Sequence, residues 1–321
     1  MARSGSGAKP WLGKSIAATL AALGATLLAC LLAAPAPAAT GGAASPGGSP
    51  APPTGGGAPD ENAEAGDVRL TAAKTSPRKT FYYGIQRPRL RYEIASDEPA
   101  NDLRVDVVGL NGEVVKSFYR NDVAPGTPDS VRWDGTVAGG KPARNGRYSF
   151  RVAPQDGDSA SVSVAPRARK QSGIGLSFSI YAFAFPILGA HDYGQGGARF
   201  GAGRSGHTHQ GQDVMARCGT PLIAARGGRV RFSGYQGAAG NYVVIDGRGT
   251  GFDTAYLHLL RPSPLKKGQT VRTGQPIGLV GSTGSSTACH LHFEIWTAPG
   301  WYEGGSPIDP LGYLKKWDRY S

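Results

Sequence analysis

Residues 290–296 read His-Leu-His-Phe-Glu-Ile-Trp (HLHFEIW). Leu291, Phe293 and Ile295 are apolar and alternate with His290, His292 and Glu294. A period of two belongs to a strand whose successive side chains point to opposite faces. Such a strand sends three apolar residues into a core and presents two imidazoles and a carboxylate on its other face. Adjacent imidazoles on one face suit metal ligation and proton transfer together. The competing reading is a polar edge facing solvent.

Two upstream strings carry matching chemistry. In HQGQD, His209 and Asp213 stand four apart. Gly211 between them argues against a helix, and in an extended segment residues i and i+4 point to the same side. In TAYLHL, alternation predicts Thr254, Tyr256 and His258 on one face, with Ala255, Leu257 and Leu259 on the other. All six histidines lie after residue 190. His207 is either a support for His209 or a polar loop residue, and His191 is a groove-lining or solvated loop residue. VVIDG and QPIGLVG also read as strands, separated by Gly-rich turns, and LGYLKKWDR near the C-terminus is the only helical-looking piece.

Taken in order, HQGQDVMARCGTPLIAARGGRV, GNYVVIDGRGTGFDTAYLHL and VRTGQPIGLVGSTGSSTACHLHFEIW resemble the lysostaphin-type (LytM-type) zinc metallopeptidases, over about residues 185–314. The resemblance implies one Zn²⁺ per chain, held by His209, Asp213 and His292, with a fourth coordination position left open. It also implies acid–base and transition-state roles for His258 and His290, and peptidoglycan peptides as substrate. Tyr256 is a weaker candidate for stabilising an oxyanion, because its strand parity matches that of His258; a core or groove-wall tyrosine is the equal alternative. Some members of the family have lost their ligands and act as non-enzymatic activators of other wall hydrolases. This chain keeps every matching polar position, which favours a zinc metalloendopeptidase.

Upstream, LRYEI, LRVDVVG, EVVKSFYR, SVRWDG and RYSFRVA read as short strands, with turns at Asn111-Gly112 and Asn145-Gly146. This spacing predicts an antiparallel β-sandwich. The pattern WDG followed by NGRYSFRV resembles an Ig-like domain of flagellar hook-capping proteins and other exported bacterial proteins, a fold that by itself implies no activity. The expected fold class is therefore all-β: an Ig-like β-sandwich over 67–165, then an antiparallel β-sheet metallopeptidase domain over 176–321. PRARKQSGIG, residues 166–175, reads as a linker between two independent cores, so that a fragment from about residue 171 is expected to fold alone.

The N-terminus reads as an export signal over 1–39: Arg3, Lys9 and Lys14, an apolar run over 16–34, then small residues suited to cleavage after Ala38 or Ala39. An uncleaved membrane anchor, and a lipoprotein whose cleavage box is the string LLAC ending at Cys30, are the alternatives, and only these would bring the membrane in as a partner. All three export the chain. Residues 40–66 are rich in Gly, Pro and Ala, too poor in apolar residues to form a core, and read as a disordered linker. Loss of Cys30 with the signal leaves Cys218 and Cys289, an even pair that in an exported chain reads as a disulfide; two buried thiols are the alternative. The net charge of +12 favours polyanionic partners. No nucleic-acid recognition motif accompanies it, so anionic cell-wall polymers fit better and the expected location is secreted and wall-associated.

Overall fold

The computed structural model describes residues 68–156, 163–164 and 174–321. The expected signal segment, Cys30, the 40–66 linker and residues 166–173 of the second linker lie outside them. Among the described residues no helix is long and apolar enough to cross a membrane.

The N-terminal body consists of ten strands: β1 (Arg69–Ser76), β2 (Lys79–Phe81), β3 (Arg89–Ala95), β4 (Asn101–Gly109), β5 (Val114–Val123), β6 (Asp129–Arg132), β7 (Gly146–Pro154), β8 (Ser163–Val164), β9 (Ile174–Gly175) and β10 (Ser177–Tyr181). One sheet runs β6-β3-β1-β8 with β9 also on β1, and the other runs β2-β10-β7-β4-β5. Alternation supplies the core between them: Leu90, Tyr92 and Ile94 of β3 face Val105 and Val107 of β4 and Phe150 and Val152 of β7. Trp133, fully buried, lies edge-on to Tyr148 and Phe178. Its indole donates to the Thr136 carbonyl at 2.7 Å, while Asp134 accepts from the Thr136 amide and hydroxyl. The WDG string is thus a core anchor followed by a side-chain-stapled turn. The pairings β1–β8, β1–β9 and β2–β10 are parallel. Strand periodicity does not encode a partner's direction, so the purely antiparallel expectation missed them.

The C-terminal body contains β11 (His191–Asp192), β12 (Gly203–Arg204), β13 (His207–Thr208), β14 (Gln212–Ala216), β15 (Pro221–Ile223), β16 (Gly228–Gln236), β17 (Gly240–Gly247), β18 (Phe252–Leu259), β19 (Thr270–Val271), β20 (Pro276–Leu279), β21 (His290–Thr297), β22 (Pro307–Ile308) and one helix, α1 (Leu311–Asp318). Its main sheet runs β11-β14-β21-β18-β17-β16-β19, with β22 on β21. All the pairings of this sheet are antiparallel. Leu291, Phe293 and Ile295 of β21 join Val214, Val243, Ile245 and Tyr256 in a core closed by Leu222 of β15, Ile277 of β20 and Leu314 and Trp317 of α1. The opposite face of β14 and β21 is left for polar groups.

The boundary expected at 175/176 moves. Strand β10 pairs with β7 and β2, and Phe178 and Ile180 fill the N-terminal core. Beyond it, the two bodies bond directly. The Thr273 amide donates to the Tyr83 carbonyl at 3.0 Å, and its hydroxyl donates to the Tyr82 carbonyl at 2.8 Å. Tyr181 stacks on Tyr320 with ring centroids 4.0 Å apart. Arg226, 2% exposed, sits beneath Tyr82 and Phe183 and donates to the Ala182 carbonyl at 2.6 Å. A cut at 171 therefore strips β10 of its sheet partners and uncovers Arg226. The cohesive contacts come from residues distant in sequence.

Candidate metal centre

Strand register assembles the site. On β14 and β21, Asp213 stands opposite His292 and Met215 opposite His290. Gly211 makes this approach feasible: a Cβ there would lie 2.5 Å from the Phe293 carbonyl oxygen and 2.7 Å from His292 Nε2. His209, just before this crossing, enters the same point. His209 Nε2, Asp213 Oδ1 and His292 Nδ1 lie 2.9–3.0 Å from one another. Among the described residues they form a group able to hold a metal ion.

His258 arrives by a different device. The β17–β18 register slips between Asn241 and Val243, and His258 adopts a positive φ of 61°. A bulge re-aims side chains and breaks alternation. The His258 ring lies 4.8 Å from that of His290 and 5.8 Å from that of His292. Tyr256, before the bulge, keeps its parity and points the other way. It is fully buried in the core, and its hydroxyl accepts from the Ala225 amide at 2.8 Å. Of the two readings of Tyr256, its burial favours the core tyrosine, because shared parity with His258 ends at the bulge.

Each of the four clustered imidazoles has one nitrogen committed. His209 Nδ1 pairs with the Arg199 carbonyl at 2.7 Å, His258 Nδ1 with the Thr283 carbonyl at 2.8 Å, and His290 Nδ1 with the Ala288 carbonyl at 2.8 Å. His292 reverses the pattern, with Nε2 3.0 Å from Glu294 Oε1. A carbonyl or carboxylate oxygen accepts only, so the committed nitrogen carries the proton and the other is left to face the cleft. Two imidazole nitrogens and a carboxylate oxygen at about 3 Å need shared protons or a cation between them. The spacing and donor types fit zinc, which takes nitrogen and oxygen ligands at about 2.0–2.2 Å in tetrahedral array.

Electrostatics follow from burial and neighbours. Burial opposes ionisation of Asp213, but bonds with His209, His290 and His292 hold its carboxyl far below the usual carboxylate range. Burial likewise opposes charge on His292, yet Asp213 and Glu294 outweigh it and raise its pKa to about 9. Burial dominates at His258, whose pKa falls to about 4 against the opposing Thr283 bond. In the neutral form this favours, His258 carries its proton on Nδ1, bonded to the Thr283 carbonyl, and Nε2 keeps a lone pair.

The site opens into a cleft of about 680 Å³ that also takes in His207, Gln210, Trp301 and Tyr302. Arg204, on the β12–β13 hairpin, reaches Asp213 Oδ2 at 3.4 Å, and the Tyr302 hydroxyl donates to Gln210 Oε1 at 3.0 Å. No period or spacing singles out Arg204, Gln210 or Tyr302 in the sequence. His207 is exposed on the cleft rim. His191 lies elsewhere, with Nε2 3.1 Å from Asp318 of α1. Cys218 and Cys289 form a disulfide with Cα atoms 5.2 Å apart, anchoring the loop that leads into His290. Gly284, at a φ of +76°, lets this loop press on the turn at Gly240, where a Cβ would lie 2.4 Å from the Gly240 nitrogen.

A cluster of His, Asp and His on a sheet face, flanked by two further imidazoles, offers nitrogen and oxygen donors to a cation. Residues 207–310 match the family model described as Peptidase family M23. An uncharacterized metalloprotease of Haemophilus influenzae is 41% identical over 104 residues, 32% of this chain and 20% of that protein. The peptidoglycan DD-endopeptidase ShyC of Vibrio cholerae is 46% identical over 87 residues, 27% of this chain and 20% of that protein. This chain thus spans about a fifth of the length of these curated relatives. Among solved structures, the catalytic domain of lysostaphin from Staphylococcus simulans is 32% identical, covering 39% of this chain and 92% of that one, with a TM-score of 0.34.

Proposed function

We propose that the chain is a secreted zinc metalloendopeptidase that hydrolyses peptide bonds of bacterial peptidoglycan, in the stem peptide or the cross-bridge. The observation that carries this reading is the convergence of His209 Nε2, Asp213 Oδ1 and His292 Nδ1 beside His258 and His290 in one cleft. His209, Asp213 and His292 would hold one Zn²⁺ per chain, the three-ligand set of catalytic zinc sites, in which water takes the remaining place. Zinc bound there supplies Lewis acidity towards that water and the scissile carbonyl.

The remaining steps belong to the chain's own residues. His258 and His290 turn Nε2 towards the cleft, each ring fixed by its Nδ1 bond to a carbonyl. Between them they take a proton from the attacking water and return one to the leaving amine, as positioned acid–base groups do. Gln210 and Tyr302 bound one end of the cleft and orient the peptide along it. The N-terminal body is an Ig-like spacer that holds this cleft against the wall, and the excess basic charge retains the enzyme near anionic wall polymers. The identities of the M23 relatives, among them a peptidoglycan DD-endopeptidase, support the substrate class.

The test is zinc analysis of the purified protein, with mass spectrometry of fragments released from purified peptidoglycan. The expected result is one zinc per chain and newly cleaved peptides, both lost in His292→Ala. A zinc-free wild type, or intact wall after prolonged incubation, refutes the reading.

A further inference from the structure

His292 differs from the other three imidazoles in being fixed by a carboxylate. Along β21, residues 292, 294 and 296 share one face by the strand period. Glu294 is 4% exposed and both its oxygens are committed: Oε1 lies 3.0 Å from His292 Nε2, and Oε2 accepts from Trp296 Nε1 at 2.7 Å. An indole N–H can only donate, so Trp296 holds Oε2 as an acceptor and aims Oε1 at the imidazole.

We infer that Glu294, steered by Trp296, is a positioning residue that sets the tautomer of His292 and keeps its Nδ1 lone pair on the metal side; this rests on the metal-centre reading above. An imidazole that donates from Nε2 presents a lone pair at Nδ1, the atom 2.9 Å from Asp213 Oδ1 and from His209 Nε2. A carboxylate partner also makes the ligating nitrogen more basic, and removing such a partner typically weakens metal binding by about 10- to 100-fold.

The geometry makes an unusual demand on the substitution Glu294→Gln. Glutamine has one acceptor oxygen, but His292 and Trp296 both donate. If the oxygen meets Trp296, the amide NH₂ faces His292 Nε2 and favours a proton on Nδ1, where the metal must bind. Trp296→Phe removes the competing donor and frees the glutamine oxygen to turn towards His292. A buried glutamate needed only for stability would not produce this rescue.

The experiment measures zinc affinity of the full chain by chelator competition and reads the His292 tautomer from imidazole ¹⁵N shifts of the full chain before zinc is added. Glu294→Gln is expected to weaken zinc binding about 10- to 100-fold. Trp296→Phe alone should cost less than about threefold, because the carboxylate still reaches His292. The double variant should bind more tightly than Glu294→Gln and restore the Nε2–H tautomer. If Glu294→Gln does not fold, Glu294→Asp, with both acceptors but a shorter reach, is expected to show a loss of the same order. Asp213→Ala separates the two ideas. Zinc binding that is lost in Asp213→Ala but unchanged in the Glu294 variants overturns this inference alone. Zinc binding that survives Asp213→Ala overturns the metal-centre reading and this inference with it.

Discussion

Replacing Arg226 by Met tests whether the two bodies are one cooperative unit. The Arg226 guanidinium donates to the Arg248 carbonyl at 3.1 and 2.7 Å and to the Ala182 carbonyl at 2.6 Å. Its carbon atom lies 4.4 Å from the centre of the Tyr82 ring and 5.4 Å from that of Phe183. Met keeps an apolar stem but leaves both carbonyls without their donor. Hydrogen bonds to a charged group are worth about 1.5–3 kcal/mol each, and a desolvated cation–π contact adds about 0.5–2 kcal/mol. Desolvation offsets part of this, since burial pulls the Arg226 pKa down to about 10. A net loss of about 2–4 kcal/mol remains, roughly 30- to 900-fold in the unfolding constant. The assay is urea unfolding of the full chain, followed by tryptophan fluorescence and far-ultraviolet circular dichroism. Wild type should unfold in one coincident transition. Arg226→Met should unfold at lower urea, with the two signals separating as the N-terminal body uncouples. A variant that stays within about 0.5 kcal/mol of wild type and unfolds in one transition refutes the coupling.

Other perturbations have equally definite outcomes. Gly211→Ala pushes a methyl group against the Phe293 carbonyl and His292, and should destabilise the fold by about 1–3 kcal/mol, read as a lower thermal midpoint, and weaken zinc uptake in a metal titration. Reducing Cys218–Cys289, which are 71 residues apart, should remove up to about 4 kcal/mol by freeing a long loop in the unfolded chain; equal denaturation midpoints with and without reductant would contradict this. Acid unfolding should depend on Asp106: burial opposes its ionisation, but bonds from Ser117, Arg151 and Arg104 win and hold its pKa below the ordinary value. A carboxyl depressed on folding contributes stability above its unfolded pKa of about 3.9 and loses it as pH falls through the lower folded value. Asp106→Asn should therefore lower stability at pH 7 and flatten its fall below about pH 4, measured by denaturant titrations at stepped pH.

Period-two patterns made much of the C-terminal site legible. HLHFEIW is a strand with His290, His292 and Glu294 on the cleft face and Leu291, Phe293 and Ile295 in the core. Alternation is local, so it survives reading without a partner strand. It failed at His258, where a bulge and a positive φ break parity. The slip depends on the register of β17, so the segment itself does not reveal it. For the same reason parity alone left Tyr256 open between cleft and core.

The sequence by itself determined the all-β character, the placement of all the imidazoles and the carboxylate in the C-terminal half, and the pairing of cysteines beside the site. These depend on residue type and short spacing. The tertiary structure decided which nitrogen of His209 and His258 faces the cleft, because that follows from where the loops carrying the Arg199 and Thr283 carbonyls are folded against the rings. It also decided that β10 belongs to the first body and that Arg226 lies beneath Tyr82 from that body. The Arg226–Tyr82 contact joins residues 144 positions apart, and no local pattern along the chain records it.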